Sequence, residues 1–154
     1  MLAAIRPDSV NFPLTLHVLG AMLLVGTLAA VAYVTILGWR NPDRAPGLSR
    51  FGLKTLLIGV FPADLLMRIG AQWTESEQNY PDDFDPTWIG IGYITADAGA
   101  LLVLISLILA AIGLRRSRED AARGVRLARI IGVICILLLA AYLVAVWAMT
   151  AKPT

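Results

Sequence analysis

Asp64, Arg68 and Asp97 are ionisable side chains set inside long apolar runs. Each costs about 3 kcal/mol or more at the centre of a bilayer unless it is paired or hydrated, so these three residues need explaining first. Asp64 and Arg68 stand four apart, which on a helix puts them on one face where they can pair. Leu57 and Phe61 carry that face back towards Lys54. In the next apolar run Gly90, Tyr93, Asp97 and Ala100 align at spacings of three and four, and a tyrosine hydroxyl there can donate to a carboxylate. Two carboxylates against one guanidinium leave one negative charge, to be balanced by a proton, a cation or a charged His17. Two chemistries fit. In one, Arg68 neutralises one or both carboxylates and locks the pairing of helices. In the other, Asp64 or Asp97 takes up and releases protons or ions, or lines a ligand pocket.

His17 is the only histidine and Cys135 the only cysteine. A single histidine excludes a bis-histidine haem in a monomer and a multi-histidine zinc or copper site. It leaves open a single-histidine haem with methionine or another axial ligand, with His17 as the cofactor-binding residue. Met22, Met67 and Met149 read as packing residues. One cysteine excludes an intrachain disulfide, a CxxC redox pair and an all-cysteine metal site. No GxSxG, HExxH or glycine-rich phosphate loop occurs, so hydrolytic chemistry has no support and a non-enzymatic role is expected.

These residues must be held by elements suited to lipid. The chain of 154 residues is 58% hydrophobic and 16% charged, with a mean hydropathy of +0.72. That is more apolar surface than a water-soluble domain of this length could bury. Four apolar runs, about 13 to 39, 51 to 73, 87 to 114 and 127 to 150, are each long enough to cross; the first spans about 40 Å as a helix. Backbone groups in lipid must be satisfied internally, so the runs predict helices, and the lack of ten-residue alternating segments argues against a barrel. Pro13 fits a first-turn position. The first connection carries Arg40, Arg44, Arg50 and Lys54 against Asp43. The third carries Arg115, Arg116, Arg118, Arg123, Arg126 and Arg129 against Glu119 and Asp120. Both belong on the cytoplasmic side. The second holds Glu75, Glu77, Asp82, Asp83 and Asp85 with no Lys or Arg, flanked by Trp73, Tyr80 and Trp88, and belongs outside with its aromatics at headgroup level. The net charge of +2 is therefore a topology signal rather than a nucleic-acid surface.

Ala30-Val31-Ala32 resembles a signal-peptide cleavage site, but the apolar run continues to Trp39 and the preceding basic region holds only Arg6 beside Asp8, so a span is preferred. Pro62 should kink the second helix just before Asp64 and free a carbonyl near residue 58. Small residues at helical spacing, Gly92/Ala96/Ala100, Thr95/Gly99 and Gly26/Ala30, permit close helix approach, within the chain in preference to a dimer face. Arg68 and Tyr93 fall in the outer third of their helices, Asp64 and Asp97 near the middle, and His17 enters from the same outer side. The five can converge in the outer half of a bundle.

The opening His17-Val-Leu-Gly20-Ala21 with Val25-Gly26, the segments VFPADLLMRIGAQW (60 to 73) and DPTWIGIG (85 to 92), and LRRSRED (114 to 120) resemble a branch of the copper-resistance-D-like superfamily. That branch comprises bacterial integral membrane proteins of unassigned function. The resemblance implies a four-helix inner-membrane bundle, with His17 as a haem or copper contact. This chain departs from metal-handling relatives in having no second histidine.

The expectation is an all-α, polytopic membrane protein: a four-transmembrane-helix bundle forming a single domain over 1–154, in the inner (plasma) membrane with both termini non-cytoplasmic. A structural or accessory role with Asp64, Arg68, Tyr93 and Asp97 as a buried polar cluster leads. A proton or ion conduit and a single-His redox protein are the alternatives. No cofactor is expected beyond the haem that His17 leaves open. The partners expected are the lipid bilayer and another copy or another membrane protein, with no nucleic acid.

Overall fold

The computed structural model describes residues 8–78, 86–116 and 119–152, and these are helical apart from short connections. Helix α1 runs Asp8–Arg40. A 3-10 turn, Pro42–Arg44, leads into α2, Ala45–Thr55. A π-helical turn, Leu56–Val60, joins α2 without a break to α3, Phe61–Gln78. Helices α4, Thr87–Arg116, and α5, Ala121–Ala151, complete the fold. The α2–α3 segment is one rod, so the described residues form four rods. Among the described residues three helices, α1, α4 and α5, are long and apolar enough to cross a membrane.

The rods outrun the apolar runs because polar residues extend them, at both ends in α1, the α2–α3 rod and α5 and at the C-terminal end in α4. Helix α1 already includes Asp8, so Pro13 lies in the second turn rather than the first. Its ring is buried, and the hydrogen bond it removes is one near the helix start, where the loss is smallest. Asp120 caps α5, accepting from the Ala122 N–H at 2.9 Å, and Lys152 closes it in the left-handed region at φ 47°. Of the acidic connection, Tyr80, Asp82, Asp83 and Asp85 lie outside the described residues, as do Arg6 and Arg118.

Pro62 leaves its mark one turn earlier than a simple kink. It has no N–H for the carbonyl four residues back, and the helix accommodates this by widening: Phe61 N–H bonds to Leu56 O, five residues away. The rod stays continuous across the π turn.

Helices α1 and α3 run antiparallel at very close range. A Cβ on Gly20 would lie 2.6 Å from Met67 Cα, and one on Gly70 would lie 2.7 Å from His17 Cα. Only glycine lets the two backbones approach so far, and the contact recurs along the pair, Gly59 lying under Thr27 and Gly52 under Val34. Helices α4 and α5 form a second antiparallel pair. There Gly92 receives Met149, Gly99 receives Tyr142 and Gly113 faces Leu127. Gly132 of α5 receives Thr35 of α1 and joins the two pairs near one end. Gly92 and Gly99 thus serve packing within the chain, as expected. Gly26 does not support a close approach, for nothing lies within 4 Å of where its Cβ would be.

The buried core runs through Leu24, Leu28 and Val31 of α1, Leu53, Leu56 and Val60 of the second rod, Val103 of α4, and Ile131, Cys135 and Leu138 of α5. Outward faces are apolar as well: Ile58 is 80% exposed, which suits lipid and not water. Arg40, Arg44, Arg115 and Arg116 gather at one end of the bundle, hereafter the basic end. Asp8, Glu75 and Glu77 mark the other, the acidic end, where Phe12 meets Trp73 edge to face at 5.7 Å and Lys152 lies over Trp88 at 5.2 Å. These contacts tie α1 to α3 and α5 to α4 where those helices would otherwise fray.

Candidate functional site

On the acidic-end half of the bundle, α3 is held in two different ways. One side, Ala63, Met67 and Gly70, is pressed against α1. A neighbouring side, about 110° round the helix, presents Asp64, Arg68 and Glu75, whose spacing of four and seven keeps them on one stripe. Each of the three reaches a polar group on α4 or α5, and together they form a ladder along the helix.

The deepest rung joins α3 to α5. Asp64 is 3% exposed, and Tyr142 donates its hydroxyl to Asp64 Oδ1 at 3.0 Å. The Tyr142 ring lies where a Cβ of Gly99 would be, so a glycine on α4 makes room for a tyrosine on α5 to reach a carboxyl on α3. The middle rung joins α3 to α4. Arg68 Nη2 donates to Asp97 Oδ1 at 2.6 Å and Nη1 donates to the Ala96 carbonyl at 2.6 Å. A guanidinium suits this position because its donors form a fixed fork that can bond a carboxylate and a neighbouring carbonyl together. The third rung is electrostatic: the Tyr93 hydroxyl on α4 lies in the field of the Glu75 carboxylate on α3.

The structure brings Asp64, Arg68, Tyr93 and Asp97 into the same half of the bundle, as their positions in the helices suggest. It distributes the partners differently. Arg68 pairs with Asp97 and not with Asp64, one turn away on its own helix, and the carboxylate that acts most on Tyr93 is Glu75, with Asp97 second. The cause is geometric: Arg68 extends across to α4, while Asp64 lies buried deeper and already accepts from Tyr142. Sequence reasoning missed Tyr142. A hydroxyl in the middle of LLLAAYLVAVW was the available signal, with the unusual opening that Gly99 provides opposite.

His17 meets α3 on the side that faces α1, apart from this ladder. Its Nδ1 is 3.0 Å from the Met67 carbonyl oxygen, so Nδ1 carries the proton and donates, and its backbone is the surface that Gly70 meets. His17 therefore fastens α1 to α3 and takes no part in the carboxylate network. Among the described residues no group of three His, Cys, Asp or Glu side chains comes together. A shallow recess at the basic end, between α1, α2 and α5, is bordered by Trp39, Ser49 and Arg129 and lies away from the ladder.

The fold and these contacts define an all-α protein with, among the described residues, three helices able to cross a bilayer and a polar ladder that runs between helices from buried Asp64 to outward-facing Asp97. No family model, curated protein or solved structure matches the chain.

Proposed function

We propose that the chain is a four-span protein of a bacterial inner membrane, with the basic end cytoplasmic and both termini outside, acting as a structural or accessory component. The α2–α3 rod is the fourth span. It carries Asp64 and Arg68, and their pairing supports this placement because paired groups lose most of the cost of entering lipid. The arginines at one end and the carboxylates at the other support the orientation. The likeness of the first-helix His17 and of the 60 to 73 segment to the copper-resistance-D-like superfamily agrees with such a bundle.

The observation that carries the structural role is that the polar groups of the cluster are engaged between helices. Arg68 bridges to a side chain and a backbone carbonyl of α4, Asp64 accepts from α5, and His17 bonds the α3 backbone. Such cross-helix bonds position α3, whose backbone stands away from α5. One observation favours a second reading, a proton or ion conduit: two carboxylates flank a single guanidinium along the stripe, and Asp97 is 71% exposed at its side chain. Proton and cation flux into vesicles containing purified protein separates the two. The structural role predicts vesicles no leakier with wild type than with Asp97→Asn. Flux present in wild type and abolished by Asp97→Asn in a folded protein would establish the conduit instead.

A further inference from the structure

The spanning helices present apolar stripes outward, and lipid satisfies them. On α5 the exposed stripe includes Ile130, Val133, Leu137, Val144 and Trp147, with no ionisable group. The stripe on α4 has the same spacing, Ile94, Leu101, Leu104 and Ile108, but its second position is Asp97. Asp97 lies ten residues into α4, about 15 Å from its acidic end, well below headgroup level. Its Oδ1 accepts from Arg68, yet 71% of the side chain faces outward. Lipid cannot supply the donor that the rest of this carboxylate needs.

We propose that the α4 stripe centred on Asp97 is the contact face of a homodimer, and this rests on the four-span reading. A second copy is the occupant the chemistry favours. Copies inserted in one orientation are related by a two-fold axis along the membrane normal, so their α4 helices run parallel and equivalent residues meet at equal depth. Asp97 then faces the ion pair of the second copy. Arg68 has five N–H donors and uses two of them on Ala96 and Asp97. Each guanidinium retains donors for the opposite Asp97, and two arginines with two aspartates close a neutral ring. Ile94, Asp97, Leu101, Leu104 and Ile108 recur at alternating intervals of three and four, the spacing by which two parallel helices interlock. A polar residue at one position of such a seam sets register and partner number.

The test is cysteine crosslinking in native membranes. Cys135 is fully buried and can remain in place. Ile94→Cys, Leu101→Cys and Leu104→Cys should each give a disulfide-linked dimer on mild oxidation, while Val133→Cys and Leu137→Cys on α5 should not. Asp97→Leu, added to Leu101→Cys, should weaken association by about tenfold, with its melting profile in detergent showing that it still folds. Several outcomes would overturn the proposal: membrane-embedded protein with no α4 crosslink, equal crosslinking from α5, a crosslink to a chain of different mass, or labelling of Ile94→Cys by a water-soluble maleimide without any dimer, which would mean a hydrated cleft. Protein absent from the membrane fraction would sink the four-span reading and the dimer with it.

Discussion

At the scale of single residues, the ladder's rungs are unequal. Tyr142→Phe keeps the ring that fills the space beside Gly99 and removes only the hydroxyl given to Asp64. It should lower unfolding free energy by about 1 kcal/mol, measured by chemical or thermal melts in detergent. Arg68→Ala removes two interhelical bonds and strands Asp97, and should cost about 2 kcal/mol or more in the same assay. The sequence made Arg68 and Asp97 conspicuous because charge inside an apolar run is costly enough to demand a partner. It did not identify the partners. Spacing places Asp64 beside Arg68 and Tyr93 beside Asp97 on their own helices, whereas the bonds run between helices, and which helix stands opposite is a property of the assembled bundle. The role of Tyr142 is hidden for a related reason: its hydroxyl stands out in an apolar run, but its partner is known only once α3 and the gap at Gly99 are in view.

At the scale of elements, the rods follow directly from long apolar runs whose backbone must satisfy itself, and their ends follow less well. Polar residues such as Asp8 and Gln78 continue a helix as readily as apolar ones, so the helices extend past the apolar boundaries. Pro62 announces an irregularity, but its form, a π turn over Leu56–Val60, is not specified by the proline alone. Glycines show the same division. Gly26 has helical spacing to Ala30 and faces open space, while Gly20 and Gly70 sit where two backbones nearly touch. Gly20→Ala or Gly70→Ala should therefore destabilise by about 2 kcal/mol through forced separation of α1 and α3. Gly26→Ala should be neutral or stabilising by up to about 1 kcal/mol through helix propensity. Parallel melting curves of the three variants check this, and equal effects would remove the close-approach explanation.

At the scale of the whole molecule, two antiparallel helix pairs, α1 with α3 and α4 with α5, are joined by apolar packing towards the basic end and by the polar ladder towards the acidic end. Membrane placement adds a direction to this arrangement. With Cys135 replaced by Ala, a cysteine at Lys152 should react with a membrane-impermeant maleimide in intact cells, and one at Asn41 should react only after permeabilisation. The reverse pattern would invert the topology. The central claim, that the ladder fastens α3 to the rest of the bundle, is tested most directly by a double-mutant cycle on Arg68 and Asp97, with unfolding free energy measured for wild type, Arg68→Ala, Asp97→Ala and the double variant. The account predicts a favourable coupling of about 1 kcal/mol or more between the two side chains. A coupling indistinguishable from zero in folded variants would contradict it.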